Sequence, residues 1–572
     1  MPSSTSNQII PPAAADASSG LLKTLTSESG LMLLGCLTGL AVLSWLGSGK
    51  KGRSATGYFG KASEKAAARR QAKQQMQGRK RNSVALYIGR PSFGKPPLYL
   101  PDAQRGTAVC GGPGSGKTFS VIDPAMRSAL DQGFPVILYD FKYPTQTSRI
   151  AGYAAQLGYN VRVFAPGFKE SDTCNPLDFL KDQTDSLMAR QMSEVLNKNF
   201  ASGGAQKSED PFFTQAGDQL TEAIFMLAKG TKYPDIMMCQ ALLSMDDLPG
   251  RLSAKPDLNP WVRSSFGQLM SVAQSEKTVA SIVATAATNF TRFVKQEVLG
   301  AFCGETTIPL DLQGKQLLVF GLDRERRDVV GPLVATVLHM IVTRNVVKKR
   351  KDPLILALDE LPTLYLPALV QWLNENREDG LVCLLGFQNM AQLQKTYGEE
   401  LARAILGGCA TKAIFNPQEY ESAQMFSDFV GEEEIQYKQR SRGSSGGKGS
   451  VNTSDQDKTR KLFEPSRFLK LPTGHCILIN PGYRNAKEAG VPLHQNIRLP
   501  KAELDAVKQS EQTWERLRKQ LMKQRNVQNL PTSADLMKRY QVTEDMFPGK
   551  KEKAQQVDMN KLVDELKKRR QA

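Results

Sequence analysis

Histidine is nearly absent, three residues in 572, and the eight cysteines form no C-x-x-C pair. No histidine stands at ligand spacing from a cysteine. Neither a zinc site nor a disulfide framework is therefore expected, and the bulk of the chain reads as suited to a reducing compartment. Acid is in short supply too: 57 Asp and Glu face 75 Lys and Arg, a net charge of +18. Such an excess suits a polyanionic partner, nucleic acid or anionic lipid; a basic tail that aids solubility is the plainer alternative. What remains is ordinary, 40% hydrophobic and 23% charged. The length is enough for a large globular domain and at least one smaller one.

Near the N-terminus one long uncharged apolar run stands out, "GLMLLGCLTGLAVLSWLG" over residues 30–47. At about 1.5 Å per residue it sits at the short limit for crossing a bilayer as a helix. A signal peptide fits poorly, because Lys23 is the only basic residue before it and no A-x-A site follows. A buried core helix is the other reading. Behind the run come Lys50, Lys51, Arg53, Lys61, Lys65, Arg69, Arg70, Lys73, Arg79, Lys80 and Arg81, with Glu64 the lone acid. The positive-inside rule then predicts a single-span membrane anchor with the long C-terminal part in the cytoplasm. Residues 1–29, rich in Ser, Ala and Pro, read as a disordered N-terminal segment. Residues 48–83 read as a basic juxtamembrane stretch, helical from Lys61, suited to headgroups or DNA or simply solvated.

From residue 84 the pattern becomes short β-type runs alternating with helical stretches. "TAVC" (107–110), "PVILYD" (135–140), "VRVFA" (161–165), "QLLVFG" (316–321), "LILALD" (354–359), "LVCLLG" (381–386), "TKAIF" (411–415) and "CILIN" (476–480) read as buried strands. Most lead into helical periodicity, which predicts an α/β fold with a parallel sheet covered on both faces. The strand signal vanishes over 178–305, where Ile282, Ala286, Phe290 and Phe293 fall on one helical face. This stretch reads as an all-α domain inserted into a nucleotide-binding domain made of 84–177 and 306–500. "RSRGSSGGKGSVNTSDQD" (440–457) reads as a flexible basic loop, and 501–572 as a charged helical C-terminal tail.

The chemistry begins at Gly111-Gly112-Pro113-Gly114-Ser115-Gly116-Lys117-Thr118, which fits G-x-x-x-x-G-K-[ST] between an expected strand and an expected helix. Glycines let backbone N–H groups wrap phosphates at a helix N-terminus. Lys117 is expected to reach the β- and γ-phosphates of ATP, and the Thr118 hydroxyl to ligate Mg²⁺. The matching acid ends "LILALDELP": Asp359 for the metal, Glu360 to orient and deprotonate water. Adjacent acids of this kind favour hydrolysis. Gln388, just past "LVCLLGF", is a candidate sensor of the γ-phosphate, an exposed loop glutamine being the plain alternative. Arg377, at the other end of that strand, is a candidate arginine finger acting in trans, or an ordinary surface arginine. "ASGGAQ" (201–206) imitates an ABC-type signature but lies far before the acidic strand, and reads as a loop.

These residues resemble the type IV secretion coupling proteins, the TraD/TraG-like ATPases of bacterial conjugation, over roughly residues 80–500. The likeness rests on the glycine loop, "LALDELPTL", "GFQNMAQLQKTYG", "CNPLDFL" and "DPFFTQAGDQL". "YDFKYP" occupies the place of the family's D-x-K-G-E/D element; Asp140 and Lys142 match it, while Tyr143 and Pro144 do not. The resemblance implies a RecA-like P-loop NTPase with an inserted all-α domain. It also implies a homo-hexameric ring at the bacterial inner membrane that uses ATP and Mg²⁺ to drive single-stranded DNA with its bound relaxase into the type IV secretion channel. Many members have two N-terminal spans where this chain shows one. A double-stranded DNA translocase of the FtsK or HerA kind, an ATP-switched receptor for secreted proteins, and a lipid-surface scaffold are the competing readings.

Overall fold

The computed structural model describes residues 57–89, 96–202, 211–445, 448–525 and 530–549. The expected membrane span, the N-terminal segment and the last part of the C-terminal tail lie outside the described residues, as do residues 203–206 of the ABC-like stretch. By their contacts the described residues divide into two units, one holding Gly57 and 431–462 and the other holding the described residues of 58–430 and 463–549.

The larger unit is built on a nine-stranded sheet. In chain order its strands are β3 (Thr107–Cys110), β4 (Val136–Asp140), β5 (Asn160–Phe164), β6 (Gln316–Gly321), β7 (Leu354–Leu358), β8 (Leu381–Phe387), β9 (Thr411–Ile414), β12 (His475–Ile479) and β13 (Leu493–Asn496). They are ordered β13-β12-β9-β3-β8-β7-β4-β6-β5. Two short strands before the sheet, β1 (Leu86–Ile88) and β2 (Leu98–Leu100), pair only with each other. From β9 to β5 the ladders are parallel. β3, β4, β7 and β8 are buried along their whole length, which is why each appears as an unbroken apolar run: helices cover both faces. One expectation needs correcting. "CILIN" was read with the parallel strands, but β12 runs antiparallel to β9 and then pairs with β13, a strand whose mixed "LHQN" carries no strand pattern. An antiparallel neighbour needs no crossover helix, so alternation of strands and helices does not reveal it.

Between β5 and β6 the described residues form helices and turns only, the longest being Ser186–Ser202, Pro211–Lys229 and Glu276–Phe293. The last of these buries Ile282, Ala286, Phe290 and Phe293, and Phe290 packs edge-on against Phe225. Arg327–Val346, the helix that follows β6, packs on Ser186–Ser202 of these helices. Arg327–Val346 is apolar and long enough to cross a membrane by composition, but it is 83% buried within the fold and is a core helix.

The C-terminal segment is helical as expected, but it does not stand out as a tail. Lys501–Gln524 packs along Thr145–Gln156 and buries Ala506, Val507, Ser510, Trp514 and Leu521, a stripe at helical spacing. The two helices touch at Gly152, where a Cβ would stand 2.0 Å from the Ser510 carbonyl oxygen. Ser510 Oγ accepts the Tyr153 N–H at 2.9 Å and donates to the Ser148 carbonyl at 2.8 Å. Buried Glu503 takes Arg127, which lies on the helix following the glycine loop. Ser533–Met546 then packs on Ile236–Leu243 of the helical region, with Arg539 Nη2 2.6 Å from Asp235 Oδ2.

The smaller unit corrects a second expectation. Residues 440–457 are no free loop: β10 (Glu432–Ser445) and β11 (Lys448–Lys461) form a long antiparallel hairpin in register from Glu432↔Lys461 to Ser445↔Lys448. Lys461 pairs with Glu432 at 3.0 Å and Arg460 with Glu433 at 2.7 Å, opposite charges facing across the ladder at its open end. With backbone bonds and charges supplying the pairing, no apolar alternation is present to announce it.

Candidate functional site

Parallel strands place their C-terminal ends on one edge, and the expected chemistry gathers there. The glycine loop leaves β3, Asp359 and Glu360 follow β7, and Gln388 follows β8, which lies between them. One inserted strand thus sets the amide beside both partners.

The loop itself is shaped by having its carbonyls held from outside. Gln418 Nε2 donates to the Pro113 carbonyl at 3.0 Å, Thr473 Oγ1 to Gly114 at 3.0 Å, and the Gly474 N–H to Ser115 at 2.9 Å. Gly114 and Gly116 have φ of 75° and 92°, a region that side-chain-bearing residues rarely adopt. Their N–H groups bond to nothing among the described residues. Carbonyls tied back and N–H groups left available make a cradle for an anion. Gln418, Thr473 and Gly474 were not visible as site residues in the sequence; only the docking of the loops after β9 and before β12 brings them here.

Beyond the cradle, Thr118 Oγ1 donates to Asp359 Oδ2 at 2.6 Å. Asp359 Oδ1 is buried and has no partner among the described residues. Burial pushes the Asp359 carboxyl up to about 6, against the pull of Lys117 and the Thr118 hydroxyl. Glu360 is held on both oxygens: Gln388 Nε2 donates to Oε1 at 2.9 Å, and Lys117 Nζ stands 3.5 Å from Oε2. Gln392 Nε2 in turn donates to Gln388 Oε1 at 3.1 Å, fixing which end of the amide faces the acid. Thr118–Asp359 and Lys117–Glu360–Gln388 are two side-chain contacts set side by side, joined into one network through the adjacent pairs Lys117-Thr118 and Asp359-Glu360. An orphaned carboxylate oxygen beside a threonine hydroxyl is an oxygen donor set of the kind a hard dication takes.

Arg377 is the exception. It precedes β8, so it lies at the opposite edge of the sheet, about 20 Å from Gln388 at the rise of a strand. Its nearest acid is Glu378, at 4.0 Å. The fold does not bring Arg377 to the site of its own chain.

The cleft, about 380 Å³, extends from the glycine loop across Asp359 and Glu360 to the turn after β4, where Lys142, Thr145, Gln146 and Arg149 line it. Asp140 of the same turn has a scaffolding role. Its carboxylate accepts the N–H groups of Lys142, Gln146 and Thr147 and the Thr147 hydroxyl, tying down the first turn of Thr145–Gln156. Burial pushes its pKa up, and the Thr147 bonds oppose that.

A family model for the type IV secretion-system coupling protein DNA-binding domain matches residues 90–489. Coupling protein TraD of Escherichia coli K12 is 33% identical over 127 residues, 22% of this chain and 18% of TraD. The type IV secretion system-coupling protein VirD4 of Bartonella quintana is 23% identical over 382 residues, 63% of this chain and 58% of VirD4. The chain thus aligns with less than two thirds of either relative. Among solved structures, the bacterial conjugative coupling protein TrwB superposes with a TM-score of 0.53 at 14% identity, covering 75% of this chain and 92% of that one. TrwB in complex with ADP and Mg²⁺ gives 0.51 at 15%, covering 70% and 87%. At such identities the likeness is one of fold, the RecA-like nucleotide-binding architecture with a helical region. The family match spans every strand of the sheet but β13, the helical region and every residue of the network described above, and this chain belongs to the type IV secretion-system coupling proteins.

Proposed function

We propose that this protein is an ATP-hydrolysing motor that drives single-stranded DNA, with its bound relaxase, into a type IV secretion channel. The observation that carries the reading is the network joining Lys117 and Thr118 of the loop to Asp359, Glu360 and Gln388. The cradle N–H groups and Lys117 would hold the phosphates, and Thr118 and Asp359 would hold Mg²⁺. When bound, the metal neutralises charge on the phosphate oxygens. Glu360, positioned by Gln388, would take the proton of the attacking water. That TrwB, of like fold, is known in complex with ADP and Mg²⁺ supports the choice of ligand.

The remaining parts of the reading follow from family membership and charge. The excess of +18 suits a phosphate backbone. A homo-hexamer on the bacterial inner membrane, anchored by residues 30–47, would place the cradle in the cytoplasm, with the relaxosome and the channel proteins as partners. The test is ATP hydrolysis by the full chain, with single-stranded DNA, double-stranded DNA or none. Stimulation chiefly by single strands is expected. Stimulation only by duplex would favour a double-strand translocase, and indifference to DNA an ATP-switched receptor. Binding that weakens steeply and log-linearly with salt is expected as well.

A further inference from the structure

Arg149 is part of no motif, yet it lies at the end of the cleft that the glycine loop does not serve. The sheet order explains its place: β4 neighbours β7, so the turn after β4 and the helix Thr145–Gln156 stand on the far side of Asp359 and Glu360 from the loop. The guanidinium is held from behind. Arg149 Nε donates to Asp123 Oδ2 at 2.6 Å and Nη1 to the Thr145 carbonyl at 3.2 Å, while Nη2 has no partner among the described residues. Asp123 is fully buried and also accepts Gln146 Nε2 at 2.9 Å, so its carboxylate cannot turn away from the arginine. Asp123 further belongs to the helix that continues directly from Thr118. The arginine is thus registered to the metal-holding hydroxyl through one helix.

We infer that Arg149 reads the terminal phosphate of the bound nucleotide, in cis, and so distinguishes ATP from ADP. The inference rests on the reading of the cleft as an ATP site. The cradle N–H groups serve the inner phosphates, and Lys117 meets the terminal one only from the side of the loop. That phosphate would extend past the metal position toward β4, where a pre-oriented planar guanidinium with a spare N–H donor is suited to a phosphate oxygen. Lys142, on the same turn, is exposed, a point charge with no ion-pair partner among the described residues.

The experiment titrates Mg²⁺-ADP and a Mg²⁺-loaded non-hydrolysable ATP analogue against the full-length protein and its Arg149→Gln, Arg149→Lys and Lys117→Ala variants. Nucleotide-free melting curves are recorded alongside. Arg149→Gln is expected to lose about tenfold or more in affinity for the ATP analogue, the scale of one charge-assisted hydrogen bond, while ADP stays within about twofold. Arg149→Lys keeps the charge opposite Asp123 but not the fork, and is expected to show the same selective loss more weakly. If Arg149→Gln does not fold, Arg149→Lys decides alone. Equal losses for both nucleotides, or none, would overturn the inference and leave Arg149 as a bolt between two helices. Lys117→Ala should weaken both nucleotides; if it weakens neither, it is the ATP reading of the cleft that has failed.

Discussion

Thr118 and Asp359 are 241 residues apart in the chain and 2.6 Å apart in the structure. The whole helical region lies between them in sequence without disturbing the contact, because Asp359 follows the end of β7 and the loop that carries Thr118 leaves the end of β3 on the same edge of the sheet. The helical region can therefore vary while the contact between the hydroxyl and the carboxylate is kept.

Lys117 and Glu360 touch, yet their loss should have different consequences. Lys117→Ala removes the cation of the cradle and is expected to abolish both nucleotide binding and turnover. Glu360→Gln keeps the hydrogen bond to Gln388 and is expected to retain nucleotide while turnover stops. Equilibrium binding and steady-state hydrolysis on both variants check this. Normal turnover by Lys117→Ala would refute the assignment.

Asp359 carries a pH dependence whose sign can be worked out. Burial raises its carboxyl from 3.8 to about 6 in the folded chain. The protonated form is favoured in the fold, so its contribution to stability is full below the unfolded value and is lost as pH rises toward and through 6. Asp359→Asn should therefore raise the melting temperature of the nucleotide-free protein at pH 8 and do little at pH 4. Metal needs the carboxylate, so Mg²⁺ affinity of the wild type should fall as pH drops below about 6. Melting curves and Mg²⁺ titrations across pH 4–8 test both.

Trp514 is fully buried, edge-on to Tyr143 at 6.3 Å between ring centres. Trp514→Ala is expected to cost about 3–5 kcal/mol, the range for emptying a large aromatic site. Gly152→Ala should also destabilise, because the new Cβ meets the Ser510 carbonyl. Denaturant unfolding measures both; near-wild-type stability would mean that Lys501–Gln524 does not pack here in solution.

Arg377 lies at the wrong edge of its own sheet to serve its own nucleotide, so in the proposed ring any role as an arginine finger would be at the neighbouring subunit's site. An arginine finger contributes about 10³-fold or more to turnover. Arg377→Ala is expected to bind ATP and be nearly inactive, and mixing it with inactive Glu360→Gln should restore activity in mixed rings. Full activity of Arg377→Ala alone removes it from any site.

How much of this was legible in the sequence follows from how local each signal is. Parallel strands buried on both faces must be apolar throughout, so "LILAL" and "LVCLLGF" announced β7 and β8. The glycine loop and the Asp359–Glu360 pair are contiguous residues with one chemical use, and they could be paired across the helical region before any fold was known. Position on a strand end similarly marked Gln388, whose bond to Glu360 the structure then displays.

Other features depend on partners that no local pattern names. The stripe through Ala506, Ser510 and Trp514 is hidden among lysines, glutamates and arginines, and only its fit against Gly152 turns a charged helix into part of the core. The direction of β12, the hairpin from Glu432 to Lys461, and the hold of Gln418, Thr473 and Gly474 on the loop carbonyls are all settled by docking. Arg149 is the sharpest case. A single arginine in "TQTSRIAGY" has no meaning by itself, and it acquires one because β4 lies beside β7 and a buried Asp123 waits behind it. The sequence by itself determined which chemistry the chain carries, since that needs particular side chains at short spacing. Which further side chains stand around that chemistry was decided only by the tertiary structure, since distance in space is set by the order of strands and not by the order of residues.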